Sequence, residues 1–188
     1  MQENIALVQN GFRILLPDMA GYICRELSRV YKNSWWQEVL TALSDQYDLP
    51  SSGEYAELQD SLDVANCLRL IDRRWNDVFR SKLSKDYRTW ATELMGVRNK
   101  VAHLGMQDIA QADAERALDT MARLCDGFDS DGAEEIRALY RKLRYGSEDA
   151  STSSAPAKET TPTGKSKTVA AVLGRHVGEN LPSWRDVM

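Results

Sequence analysis

Apolar side chains recur every three or four residues from the start of the chain to Tyr145, and nowhere do they alternate. Val64, Leu68, Ile71, Trp75 and Val78 form one such stripe. Trp90, Leu94, Val97 and Val101 form another, and Ala114, Ala117, Met121, Leu124 and Phe128 a third. This spacing lines up along one side of an α-helix and would be scattered over both faces of a strand. Strand signals are weak: the sequence has no alternating Val/Ile/Thr run and no Asn-Gly hairpin turn. The expected fold class is all-α, an antiparallel helical bundle with short connections.

Helix boundaries follow from local chemistry. The first helix carries Ile5, Val8, Phe12, Leu15 and Leu16. Pro17 is expected to end it and to open the next, because a proline ring blocks a helix interior but its missing N–H is harmless at a first helical position. The second helix presents Met19, Ile23, Leu27 and Val30. "SWWQEVLTALSDQY" reads as a third, with Ser34 as N-cap and Trp35, Val39 and Leu43 on one side. "DLPSSGEY" reads as a loop. A long helix is expected from about Glu57 to Lys82, and another from about Lys85 to His103, ending before Gly105 as its C′ residue. "GAEEIRALYRKLRY" closes the folded part.

The chain's 188 residues suffice for one domain with a proper core and a tail. After Tyr145, "GSEDASTSSAPAKETTPTGKSK" contains no aromatic or large aliphatic residue and cannot bury enough to offset its ordering entropy. The expected organisation is a helical domain over 1–145, a disordered Ser/Thr/Pro-rich linker over 146–168 and a short terminal segment over 169–188. In that last segment apolar character returns, so it is expected to begin a further domain or to dock on a partner.

Composition excludes several classes. Hydrophobic residues make up 43% and charged residues 28%, as in ordinary globular proteins. No apolar run reaches membrane-spanning length and no signal-peptide pattern is present, so no membrane partner is expected. Cys24, Cys67 and Cys125 are odd in number and far apart. That argues against a disulfide framework and for a reducing, cytoplasmic setting. Two histidines and three scattered cysteines offer no metal-ligand spacing, so neither a metal nor a cofactor is expected. "TPTGKSKT" is not a phosphate loop: the first glycine of that pattern would fall on Glu159, and no strand precedes it. His176 has no evident partner.

"GVRNKVAHLG" holds one of the two histidines, His103, with Arg98 five residues before it and Asn99 four before it. On a helical wheel Asn99 and His103 stack on nearly the opposite side from the Trp90/Leu94/Val97/Val101 stripe, and Arg98 lies between. Met95 and Gly96 beside these polar groups suggest contact with another helix. Plainer readings stand alongside: His103 complements the dipole at a helix C-terminus, and Arg98 pairs with an acid such as Glu93 or Asp119.

An Arg followed by a polar residue, with a His a few places on near the end of a bundle helix, resembles the signature of the HEPN superfamily. Arg98, Asn99 and His103 match it residue by residue. The flanking text "RRWNDVF", "VRNKVAHLG" and "DAERALDTMARL" is similar to the Swt-type HEPN subgroup, and the resemblance spans roughly Gln2 to Tyr145. The family implies metal-independent RNA cleavage, in which the 2′-hydroxyl attacks its own phosphate to leave a cyclic phosphate and a free 5′-hydroxyl. His103 would be the general acid or base, since imidazole exchanges protons near neutral pH. Arg98 would stabilise phosphorane charge and Asn99 would orient the phosphate or His103. The family also implies a homodimer, with Met95 and Gly96 in the seam. Other family members are non-catalytic dimerisation or RNA-binding modules. The ending "LPSWRDVM" resembles the lead into the large ATPase of PglY-like phage-defence systems, which would make an ATPase domain a further partner and this chain part of a longer protein.

With a net charge of −4, any RNA site must be a local patch. Arg69, Arg73 and Arg80 are expected to share one side of the long helix as a basic ridge that could follow an RNA backbone. The competing reading is a solvated face with Asp/Arg pairs, and "RALYRKLR" carries the same two readings.

Overall fold

A computed structural model of the chain describes residues 3–45, 48–105, 107–128 and 131–146. Among them are seven α-helices and no strand: α1 (Glu3–Tyr31), α2 (Trp35–Ala42), α3 (Tyr55–Asp60), α4 (Val64–Arg73), α5 (Lys85–His103), α6 (Gln111–Asp126) and α7 (Gly132–Tyr145). The fold is an all-α bundle. The expected linker beyond Gly146, the terminal segment and His176 lie outside the described residues.

α1 is the spine of the bundle and packs against α4, α6 and α7. Val8, Leu15, Met19, Ile23 and Leu27 are fully buried along it. The expected break at Pro17 does not occur; α1 runs through it for 29 residues. Pro17 removes the hydrogen bond to the Arg13 carbonyl, but both residues are exposed, so water can take that acceptor. Burial of Leu15 and Met19 on either side holds the helix together across the defect. Gly11 lets α6 approach: a Cβ there would meet Leu118 and Met121 side-chain atoms at 2.8 Å.

The long helix expected over Glu57–Lys82 is three pieces. Asp63 ends the first connection by capping α4, its Oδ1 accepting from the Asn66 N–H at 2.7 Å. After α4 the chain widens into a π turn over Trp75–Phe79, where the Arg80 N–H donates to the Trp75 carbonyl at 2.8 Å. One extra residue enters the turn there, and Trp75, Val78 and Phe79 all stay buried. Ser34 precedes α2 as expected but does not cap it. Lys32 takes φ +55° just before, and the Ser34 hydroxyl donates back to the Tyr31 carbonyl at 2.8 Å.

α5 packs between α4 and α6. Of its expected inward stripe only Leu94 is fully buried, joined by Ala91; Trp90, Val97 and Val101 are half-buried. The helix ends with Leu104 as C-cap and Gly105 at φ +57°, the left-handed C′ position expected. The following loop is clasped to the start of α1. Asp108 accepts from the backbone N–H groups of Asn4 at 3.1 Å and Ile5 at 2.9 Å, and the Asn4 side chain donates to the Ile109 carbonyl at 2.8 Å. Desolvation pushes the Asp108 carboxyl up, but the N–H groups of Ile5, Asn4, Ile109 and Glu3 outweigh it and hold it below the usual carboxylate range.

Candidate active site on helix α5

α5 sets the directions of every residue in the motif. Gly96, Asn99 and His103 fall within one sector on the side away from Leu94, and all three are exposed. Arg98 turns toward α4 instead. It is half-buried, and its Nη2 meets the Asp63 Oδ2 at 3.7 Å. Its Nη1 donates to the Asn99 Oδ1 at 3.5 Å, a long contact. Arg98 and Asn99 are therefore brought together, while His103 stands open at the helix end.

Neither acid anticipated for Arg98 is its partner. Glu93 is taken by Arg116 at 2.6 Å and receives the Thr120 hydroxyl at 3.4 Å. Asp119 is taken by Arg123 at 2.7 Å, one turn along α6. The actual partner, Asp63, sits 35 positions earlier in sequence and belongs to the α4 cap. An Asp just before the apolar run "VANCLRL" is a helix-start signal, and that signal marks this residue in the sequence.

Met95 and Gly96 differ in surroundings. Met95 is half-buried and packs against the core. Gly96 is exposed, and a Cβ placed on it would meet nothing within 4 Å. It borders a cleft of about 320 Å³ between α5 and α6, floored by Val97, Val101 and Ile109. Two ion pairs rim the cleft: Lys100 with Asp113 at 2.7 Å, and Arg116 with Glu93. α5 thus presents a partly covered apolar flank beside the polar Asn99/His103 sector.

The basic ridge does not form as a single row of free cations. Arg73 is engaged by Asp45, at 2.7 and 3.1 Å, and by the Ala42 carbonyl. The hydrogen bond to Asp45 raises its guanidinium pKa further. Arg74 is bound to the Glu38 carboxylate at 2.7 Å, and Arg88 to Asp72 at 2.7 Å. Arg69 and Arg80 have no acid partner among the described residues, but the π turn adds a residue between them and rotates Arg80 off the line. The arginines of the "RALYRKLR" cluster are paired: Arg137 with Asp126, Arg141 with Glu134 and Arg144 with Glu115.

Among the described residues no group of His, Cys, Asp or Glu is arranged to hold a metal. All three cysteines are buried. Burial pushes the Cys24 thiol up to about 12 and Cys67 well above its ordinary value. Among the described residues no helix is long and apolar enough to cross a membrane.

No curated protein and no solved structure matches the chain. Residues 10–129 match the Swt1-like HEPN family, a span that covers α5 and the whole Arg98–His103 motif. The match takes in more than half of the chain and most of its helical bundle, and the chain belongs to the Swt1-like HEPN family.

Proposed function

We propose that this domain is a metal-independent endoribonuclease that works as a homodimer. The observation that carries the reading is α5 itself: Asn99 and His103 are exposed on its outer sector, next to Gly96 with open space above it and a half-covered apolar flank. A second copy laid on that sector would cover the apolar residues and bring two histidines near two Arg98/Asn99 pairs.

The chemistry asks little else. The RNA 2′-oxygen attacks the adjacent phosphorus, giving up its proton to one imidazole. The 5′-oxygen leaves and takes a proton from the second, protonated imidazole. Arg98 offers a planar fork of donors to the charge that grows on the non-bridging oxygens. Asn99, already in contact with Arg98, orients the phosphate. Arg69 and Arg80 are the cations available to guide the flanking RNA backbone, whereas Arg73 is committed to Asp45. For the setting, the proposal is a cytoplasmic antiphage or toxin-like role, the domain being carried by a larger defence ATPase.

One observation favours a second reading, a non-catalytic dimerisation or RNA-binding module: in the single chain Arg98 already has an anion partner in Asp63. Cleavage of end-labelled RNA in EDTA over a range of chain concentrations separates the two. Cleavage whose rate rises more steeply than chain concentration, in step with dimer formation, supports the enzyme. Dimeric protein that binds RNA and leaves it intact supports the module.

A further inference from the structure

The Asp63 carboxylate divides its two oxygens between two tasks. Oδ1 caps α4 by accepting from the Asn66 N–H at 2.7 Å, and Oδ2 faces the Arg98 Nη2 at 3.7 Å. The first contact is short and structural. The second is long, single and wet, with 38% of the Arg98 side chain and 56% of the Asp63 side chain exposed. A guanidinium prefers two parallel hydrogen bonds to one anion. With Oδ1 turned to the Asn66 N–H, Asp63 meets Arg98 through Oδ2 alone, so the fork of Arg98 is only partly used.

We propose that Asp63 is a stand-in anion that keeps Arg98 parked against the start of α4 until an RNA phosphate displaces it. The inference rests on the reading of this site as an RNA-phosphate site and adds its control: Asp63 competes with substrate for Arg98. It acts through Arg98 and is a positioning residue, not one that touches the reacting atoms. Because the pair is exposed, solvent and salt already weaken it, and a phosphate diester that can bond both edges of the fork replaces it readily.

Asp63→Asn isolates this role. Asparagine caps a helix as well as aspartate, so α4 keeps its start while the charge facing Arg98 disappears. The experiment measures binding of a fluorescein-labelled single-stranded RNA by anisotropy at low salt. It uses the full chain carrying His103→Ala, so that cleavage plays no part. Four proteins are compared: this background alone, with Asp63→Asn, with Arg98→Ala, and with both. Thermal melts of each check the α4 cap. The expected result is binding about two- to fivefold tighter with Asp63→Asn when Arg98 is present, the range an exposed pair supports. The gain should shrink at high salt and be absent when Arg98 is alanine.

Unchanged or weaker binding with Asp63→Asn overturns the inference while leaving the RNA-binding reading intact. So does an equal gain with and without Arg98, which would report only a general loss of negative charge. If no protein binds RNA, the functional reading falls first and the inference with it.

Discussion

Arg98 and His103 leave α5 in directions about 140° apart, since five residues of helix turn the chain by roughly 500°. Arg98 faces α4 and contacts Asp63, while His103 is exposed at the helix end. One copy of the motif is thus split between two sides of a helix. In the proposed dimer that split would give the second copy a chemical purpose, because a facing α5 would bring another histidine toward each Arg98.

Gly96 tests that arrangement. A methyl there meets nothing within 4 Å, so Gly96→Ala should stabilise an isolated monomer by ~0.5–1 kcal/mol through helix propensity. Gly96→Trp should leave the far-ultraviolet circular dichroism unchanged but shift the dimer to monomer in sedimentation, with RNA cleavage lost alongside. Dimers that survive the tryptophan would place the seam elsewhere.

Asp108 ties the loop after the motif to the N-terminus of α1 and has a depressed carboxyl pKa. A depressed carboxyl contributes stability above its unfolded value, about 3.9, and that stability is lost as pH falls through the lower folded value. Wild-type Tm should therefore drop on acidification below about pH 4. Asp108→Ala should lower Tm at neutral pH and flatten this part of the profile. Equal pH slopes in the two proteins would show that the clasp is not what titrates.

The cysteines should be silent in the folded state. Cys24, Cys67 and Cys125 are buried, and burial raises the Cys24 thiol to about 12. Iodoacetamide at pH 8 should modify none of them until denaturant is added, read by intact mass. Rapid labelling of one site in native protein would contradict the burial described.

Much of this was legible in the sequence for a simple reason. Helical period is a property of neighbours, so the class of the fold and the extent of α5 could be read along the chain. What failed depended on partners far away. Pro17 satisfies every local rule for a helix end, yet the buried Leu15 and Met19 carry α1 through it. The apolar period runs smoothly across Asp63 and Trp75, so neither the cap that starts α4 nor the extra residue of the π turn disturbs it. Arg98, Asn99 and His103 form a local pattern within one helix, so as a candidate motif they can be picked out along the chain. The Asp63 contact joins residues 35 positions apart and was not. Arg69, Arg73 and Arg80 looked equivalent on a wheel, and only the folded chain shows that Asp45 has claimed one of them.

That difference among the arginines can be measured. Arg69→Ala and Arg80→Ala should each weaken RNA binding and reduce the slope of log affinity against log salt by about one phosphate contact. Arg73→Ala should leave the slope unchanged and cost up to about 1 kcal/mol of stability, as an exposed ion pair does. A reduced salt slope for Arg73→Ala would mean that RNA displaces Asp45.

The proposed activity is metal-free RNA cleavage that depends on His103. The most direct measurement is end-group analysis of RNA incubated in EDTA with wild type and with His103→Ala, both at concentrations where sedimentation shows equal dimer. The expected result is 2′,3′-cyclic phosphate and 5′-hydroxyl ends from wild type and a loss of at least ~100-fold in rate for His103→Ala, on the order expected for removing a general acid–base group. Wild-type dimer that leaves RNA intact, or His103→Ala that cleaves at the wild-type rate, would contradict it.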